Sequence, residues 1–307
     1  AIMPQMSARN LARRIAQQAL DRCGIAGGAR LVRLHGGIVN DVWRAGREAV
    51  VRIGRGADVD DLERARAALT ALRGRVRAPE VLMLDVSTWS RPVMVCSYLP
   101  GRPMDRAWPN WDAATRTAAL EQVVGEFARV HEMQDCSGPF GDWQAERRRH
   151  VEILLGELAR SNVERHLVAR LTAEWRRVGH ALPGDGVCLI HGDFNGGNAV
   201  FQSGILSGLI DFDDAVLAPR ALDYWCMGMV LTEPPFNLEP ARVRALLAPV
   251  YRFDGQAHAW QAEQLYWTLR GLVDPFAWDD SDDREGDARD DLVRYFDDAA
   301  FLEGWFD

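Results

Sequence analysis

Residues 187–213 constrain this chain more than any other stretch. The apolar run Val187-Cys188-Leu189-Ile190 leads into the polar segment His191-Gly192-Asp193-Phe194-Asn195-Gly196-Gly197-Asn198, and Ala199-Val200-Phe201 leads out of it. After one more hairpin comes Ile210-Asp211-Phe212-Asp213. Apolar runs this short, bounded by glycine and asparagine, read as buried strands joined by turns. A polar loop held between two such strands sits on a rigid support, which is how a scaffold presents chemistry.

The residue types in the loop narrow that chemistry. Asp193 can accept or orient the proton of an attacking hydroxyl. Asn198 offers Mg2+ a neutral oxygen and Asp211 a charged one. Magnesium favours one or two carboxylates together with phosphate oxygens and water. Phosphoryl transfer asks a protein for positioning and electrostatics rather than for covalent chemistry. His-x-Asp by itself is equally a hairpin turn, because Gly, Asn and Asp favour turns anyway. Asn198, and the apolar-Asp-Phe-Asp segment one hairpin later, tilt the balance toward a site.

The 307 residues suffice for one large or two ordinary domains, and 48% are apolar, so a substantial core is available. No apolar stretch is long enough to span a membrane. Residues 1–6 lack a basic-then-apolar signal pattern. The formal net charge of −8 argues against a general nucleic-acid binder, which needs a basic face. Cys23, Cys96, Cys136, Cys188 and Cys226 are scattered without a Cys-x-x-Cys, and read as reduced thiols of a cytoplasmic protein with no zinc site. Every basic residue other than histidine is arginine; there is no lysine.

Before the loop, hydrophobic periodicity changes once. Leu11, Ile15 and Ala19 predict a helix over 8–21, stopped by Gly24. Strands are predicted at 31–34, 42–44 and 49–53, with a turn at 35–40 between the first two. A helix over 58–73 carries Leu62, Ala65, Leu69 and Leu72 on one face and begins with acidic residues, as the helix dipole prefers. Two more strands are expected at 81–86 and 92–98. Leu99-Pro100-Gly101-Arg102-Pro103 breaks both periodicities and reads as a linker. Beyond it, helices are expected at 113–133, 151–159 and 166–178, then the hairpins around the loop, then a helical C-terminal third.

His-Gly-Asp-x-x-x-x-Asn at 191–198 followed by Ile-Asp-Phe at 210–212 resembles the aminoglycoside phosphotransferase and choline kinase superfamily, small-molecule relatives of protein kinases. Weaker pieces fall in the expected order over most of the chain. The resemblance implies an α+β, protein-kinase-like two-lobe fold: a small antiparallel-sheet nucleotide-binding lobe (1–98), a hinge (99–103) and a larger, mostly helical lobe (104–307) carrying the catalytic loop and acceptor site. It implies ATP and Mg2+ as cofactors, with Asp193, Asn198 and Asp211 catalytic and the latter two holding the metal. Gly36, Gly37 and Asn40 match the family's Gly-Gly-x-x-Asn nucleotide loop, though a Gly-Gly hairpin is common. Arg52 falls where kinase-like folds place the phosphate-binding lysine, and Glu63 where its partner glutamate belongs. Arginine is an imperfect substitute, because its fork and bulk differ. Ser97, Tyr98 and Leu99 would border the adenine edge. His191 is expected to orient the loop, His131 to be a buried structural residue, and Asp223 to brace the loop or cap a helix. Asp213 stands where protein kinases have a glycine; it would be second in line to the metal or simply exposed.

The activity so implied is transfer of the ATP γ-phosphoryl group to a hydroxyl of a small molecule. Residues 274–307 hold thirteen acidic residues against three arginines. Such a run is usually a solvated face, but it suits a cationic acceptor such as an aminoglycoside or amino-alcohol, with Trp260, Tyr266, Trp267 and Trp278 nearby in sequence as cation-binding faces or core. The rivals are a kinase for a homoserine-like or sugar metabolite, a non-catalytic nucleotide-binding pseudokinase suggested by Arg52, and a protein kinase, disfavoured by the short stretch after Asp213.

Overall fold

Alternation along five short strands builds the first sheet. The computed structural model describes residues 8–25, 30–34, 40–54, 59–161, 163, 165–180, 186–252 and 257–273. The chain divides into two compact units, residues 1–140 with 188–216 and residues 141–187 with 217–307. In the first, α1 (Ala8–Arg22) precedes β1 (Leu31–Leu34), β2 (Asn40–Ala45) and β3 (Ala49–Gly54); α2 (Asp60–Leu72) precedes β4 (Val81–Asp85) and β5 (Val93–Ser97). The strands form an antiparallel sheet in the order β1-β2-β3-β5-β4. Trp43, Ala45, Ala49, Val51, Ile53, Val93 and Val95 share a buried cluster with Ala12, Ile15, Ala16, Ala19 and Leu20 of α1. Because side chains alternate across a strand, Asn40, Val42, Arg44, Val50, Arg52, Met94 and Cys96 belong to the opposite face.

The rest of this unit supports the loop. β6 (Arg102–Pro103) and α3 (Met104–Ala107) lead to a single 3-10 turn at Trp108–Asn110 and then to α4 (Ala113–Val130), whose N-cap Asp112 accepts from the Thr115 N–H. β7 (Val187–Ile190), β8 (Ala199–Gln202) and β9 (Ile205–Leu209) flank the loop, and β6, β8 and β9 form a three-stranded sheet. The α4 carboxylate Glu126 is buried, accepts the Arg77 N–H at 3.2 Å and pairs with Arg129 at 2.7 Å. The Arg77 carbonyl in turn accepts the Leu209 N–H at 2.8 Å. That approach needs Gly208: a Cβ there would lie 2.5 Å from the Arg77 oxygen.

The second unit is helical. It holds α5 (Trp143–Arg160), α6 (Arg165–Val178), β10 (Val216–Pro219), α7 (Ala221–Thr232), α8 (Pro240–Leu247) and α9 (Ala257–Val273). Val151, Leu154 and Leu158 of α5 pack with Leu171 and Val178 of α6 and with Ala262, Leu265, Tyr266 and Leu269 of α9. Within this core Arg147 pairs with Glu263 at 3.0 Å and lies 3.5 Å from the centre of the Tyr266 ring. Trp260 meets Trp225 edge-on at 5.3 Å, so it is core, as is the buried Tyr266. Trp278 and the acidic segment 274–307 lie outside the described residues.

The expected strands and long helices are present, and the α+β class is the observed one. The differences are local. α5 begins at Trp143 rather than 151, because Asp142 caps it by accepting the Gln144 and Ala145 N–H groups. Its first two turns contain Arg147-Arg148-Arg149, which hides the apolar period. β6, α3 and β10 are too short to show periodicity. None of the five cysteines forms a disulfide, and among the described residues no helix is long and apolar enough to cross a membrane. Gly208→Ala should lower unfolding free energy by about 1–3 kcal/mol in urea denaturation, since it pushes β9 off the Arg77 carbonyl.

Candidate active site

The polar loop is held from both sides. Behind it, the Leu189 N–H donates to the Met133 carbonyl at 2.7 Å, just past the end of α4. Ahead of it, Asn195 accepts the Gly197 N–H at 2.9 Å and so caps the 3-10 turn Gly196–Asn198. The Asn198 amide nitrogen donates to the Asp193 carbonyl at 2.9 Å and to Asp193 Oδ2 at 3.3 Å. Asn195 donates to the same Oδ2 at 3.1 Å. The two amides therefore orient one carboxylate oxygen. Asp193 Oδ1 and Asn198 Oδ1 accept no hydrogen bond among the described residues.

A histidine ties the loop to the strand after it. A carbonyl can only accept, so His191 Nε2 carries the proton it donates to the Ile210 oxygen at 2.8 Å. Nδ1 then faces the Asp193 N–H at 3.4 Å as an acceptor. The fully buried ring lies against Phe212 at 4.5 Å and Phe127 at 5.7 Å. Ile210 also donates its N–H to the Asn198 carbonyl at 2.9 Å, so both its backbone groups are bonded to the loop. Gly192 has φ +85°, and a Cβ there would sit 2.1 Å from the Asp214 carbonyl. Asp211 itself adopts φ +69°. A non-glycine residue held left-handed is strained, and such strain gathers at functional sites.

Charge concentrates where the sheet meets Asp211. Arg52 Nη2 reaches Asp211 Oδ1 at 2.9 Å and Asp213 Oδ2 at 2.5 Å. Asn40, the first residue of β2, donates to the same Asp213 oxygen at 3.1 Å. Arg64 of α2 donates to the Asp213 carbonyl at 3.1 Å and pairs with Asp61. Burial pushes the Asp213 carboxyl up to about 6, with Arg52 opposing and Asp211 adding to the shift. Burial works against the Arg52 charge, but Asp213 and Asp211 more than offset it and raise its pKa.

Asn40, Arg52, Asp193, Asn198, Asp211 and His191 thus meet in one unit. Glu63 does not join them: it lies in the first turn of α2 and makes no ion pair among the described residues. At residues 97–99, the Ser97 N–H bonds to Glu80 and the Tyr98 N–H to Glu48, whereas the Leu99 N–H makes no hydrogen bond among the described residues. Gly36 and Gly37 lie outside those residues. His131 is buried as the C-cap of α4, 6.1 Å from Phe127. Asp223 is buried in the first turn of α7; the N-cap is Arg220. Sequence reasoning missed Arg64 and the part-buried, multiply bonded state of Asp213. The only available signal was a second acid two residues past Asp211.

The donor set suits Mg2+. Among the described residues no three His, Cys, Asp or Glu side chains cluster as a self-sufficient metal cage. Asp211 is half-exposed, Asn198 Oδ1 accepts no hydrogen bond among the described residues, and the Asn198 carbonyl holds the N–H of Ile210, the residue before Asp211. One carboxylate and one neutral oxygen leave places for phosphate oxygens and water, the kind of ligand set that magnesium favours.

The raised Asp213 carboxyl sets a sign for stability. The folded state keeps a proton that the unfolded chain releases near the ordinary value of 3.8, so stability falls as pH rises from that value through about 6. Asp213→Asn should flatten that part of the profile, read by urea unfolding at several pH values between 3.5 and 7.

A model of the phosphotransferase enzyme family matches residues 30–254. No curated protein matches the sequence significantly. Among solved structures, the gentamicin complex of APH(2'')-IIa is 16% identical, with a TM-score of 0.69 over 99% of this chain and 100% of that one. Its streptomycin–ATP ternary complex gives 15%, 0.66, 99% and 100%. A thermostable aminoglycoside phosphotransferase APH(4)-Ia mutant with ADP and hygromycin B gives 15%, 0.67, 94% and 97%. These similarities concern the fold, which is the kinase-like fold of aminoglycoside phosphotransferases. The family model spans most of the chain, including the whole His191–Asp213 site, and the chain belongs to the phosphotransferase enzyme family.

Proposed function

We propose that the protein is an ATP-dependent small-molecule O-phosphotransferase acting on a hydroxyl of a cationic acceptor, aminoglycoside-like or an amino-alcohol. The observation that carries this reading is the division of labour within Asp193 and Asn198. Each spends one end on holding the other and keeps an oxygen without a hydrogen bond, and the side chain of Asp211, which follows Ile210, is half-exposed. Asp193 Oδ1 is available to take the acceptor proton as the acceptor oxygen bonds to the γ-phosphorus and the bond to the ADP oxygen breaks. Asn198 and Asp211 would hold Mg2+, which neutralises phosphate charge when bound. Arg52 contributes a permanent cation for the phosphates.

In this reading residues 1–98 are the nucleotide-binding lobe, with Gly36, Gly37 and Asn40 at the phosphates and the Leu99 N–H available to the adenine edge. Residues 99–103 are the hinge, and residues 104–307 carry the catalytic loop and the acceptor site. His191 supports the loop. The acceptor's positive charge is argued from the −8 net charge and the acidic segment 274–307, and from the aminoglycosides bound by the structures of similar fold. Five free cysteines suit a cytoplasmic setting.

ATP turnover across aminoglycosides, choline, homoserine and neutral sugars tests the acceptor: activity should concentrate on the cationic compounds, and activity confined to uncharged ones refutes that class. Asp193→Ala should cut turnover about 10²–10⁴-fold while MgATP still raises the melting temperature. Asp211→Ala should abolish that MgATP-dependent thermal shift.

A further inference from the structure

We propose that Asp213, and not Glu63, is the positioning residue that holds Arg52 in place for the nucleotide phosphates. The inference rests on the phosphotransferase reading above and adds a residue to it. In that reading the glutamate of the helix after β3 would steady the cation. Here Glu63 makes no ion pair among the described residues, and Arg52 instead meets two acids that follow β9.

The two acids are not equivalent. The Asp211 side chain is 46% exposed, whereas those of Asp213 and Arg52 are 15% and 13% exposed. In the phosphotransferase reading Asp211 would also be claimed by a bound Mg2+. Asp213 faces no such competition and is itself anchored three ways: Asn40 from β2 and Arg52 from β3 hold its Oδ2, and Arg64 from α2 holds its carbonyl. Elements before and after Arg52 in the chain thus converge on one residue, β2 on its carboxylate and α2 on its backbone carbonyl. Both contacts of Arg52 use Nη2, so Nε and Nη1 make no hydrogen bond among the described residues and can turn to phosphate. Asp213 Oδ1 is buried without a hydrogen-bond partner. That oxygen is a further acceptor which the guanidinium fork would take up in a two-point contact.

The test is calorimetric affinity for MgATP and for adenosine, which lacks phosphates. Wild type is compared with Asp213→Asn, Glu63→Gln, Arg52→Met and the Arg52→Met/Asp213→Asn double variant. Asp213→Asn should weaken MgATP at least about tenfold and leave adenosine unchanged, which a loss of packing alone does not predict. Glu63→Gln should stay close to wild type, and the double variant should bind MgATP no more weakly than Arg52→Met. Circular dichroism checks folding, and Asp213→Ser takes the place of the Asn variant if that one is unfolded. Unchanged MgATP affinity in the Asp213 variant, additive losses, or a Glu63→Gln loss equal to it would overturn the assignment while leaving the phosphotransferase reading intact. A wild-type protein that binds no MgATP would remove both.

Discussion

The bond from the His191 Nε2–H to the Ile210 carbonyl is the contact on which the site geometry depends. It is matched by the Ile210 N–H, which donates to Asn198. With both backbone groups of Ile210 spent on the loop, Asp211 leaves from a point defined relative to Asp193 and Asn198. The imidazole is enclosed by Phe127 and Phe212, so water does not compete for its donor, and a hydrogen bond in such surroundings is stronger than in water. The histidine therefore acts on the site by geometry, with its tautomer set by the carbonyl it faces.

Electrostatics does the rest. Asp211 and Asp213 stand two residues apart and share one guanidinium nitrogen, and a cation between two such carboxylates favours their charged forms. In a chain without lysine that cation is a guanidinium, whose several N–H donors let one terminal nitrogen bridge two acids. Arg64 adds a second positive group at the Asp213 carbonyl. An arginine so placed keeps its charge at any ordinary pH. The positive end of the site is permanent, whereas burial leaves the Asp213 carboxyl easier to protonate than an exposed one.

How much could be read in advance follows from the range of each interaction. The alternating strands, the amphipathic α1, α2 and α4, and the turn chemistry of 191–198 are local signals, and they were legible. The start of α5 was hidden because an arginine run masks the period that the Asp142 cap does not need. Glu63 was paired with Arg52 by position alone. The contact that Arg52 makes with Asp213 spans 161 residues of chain, and no local pattern encodes it.

The sequence by itself determined the chemistry on offer: the order and spacing of Asp193, Asn198 and Asp211, an arginine where a lysine is expected, and an acidic balance that disfavours nucleic acid. Spacing within a turn is set by backbone geometry over a few residues, so it survives as text. The tertiary structure decided which charges meet. Asp213 became a part-buried ion-pair partner rather than a surface acid, and Glu63 was left out, because burial and ion pairing depend on which strands and helices converge in space.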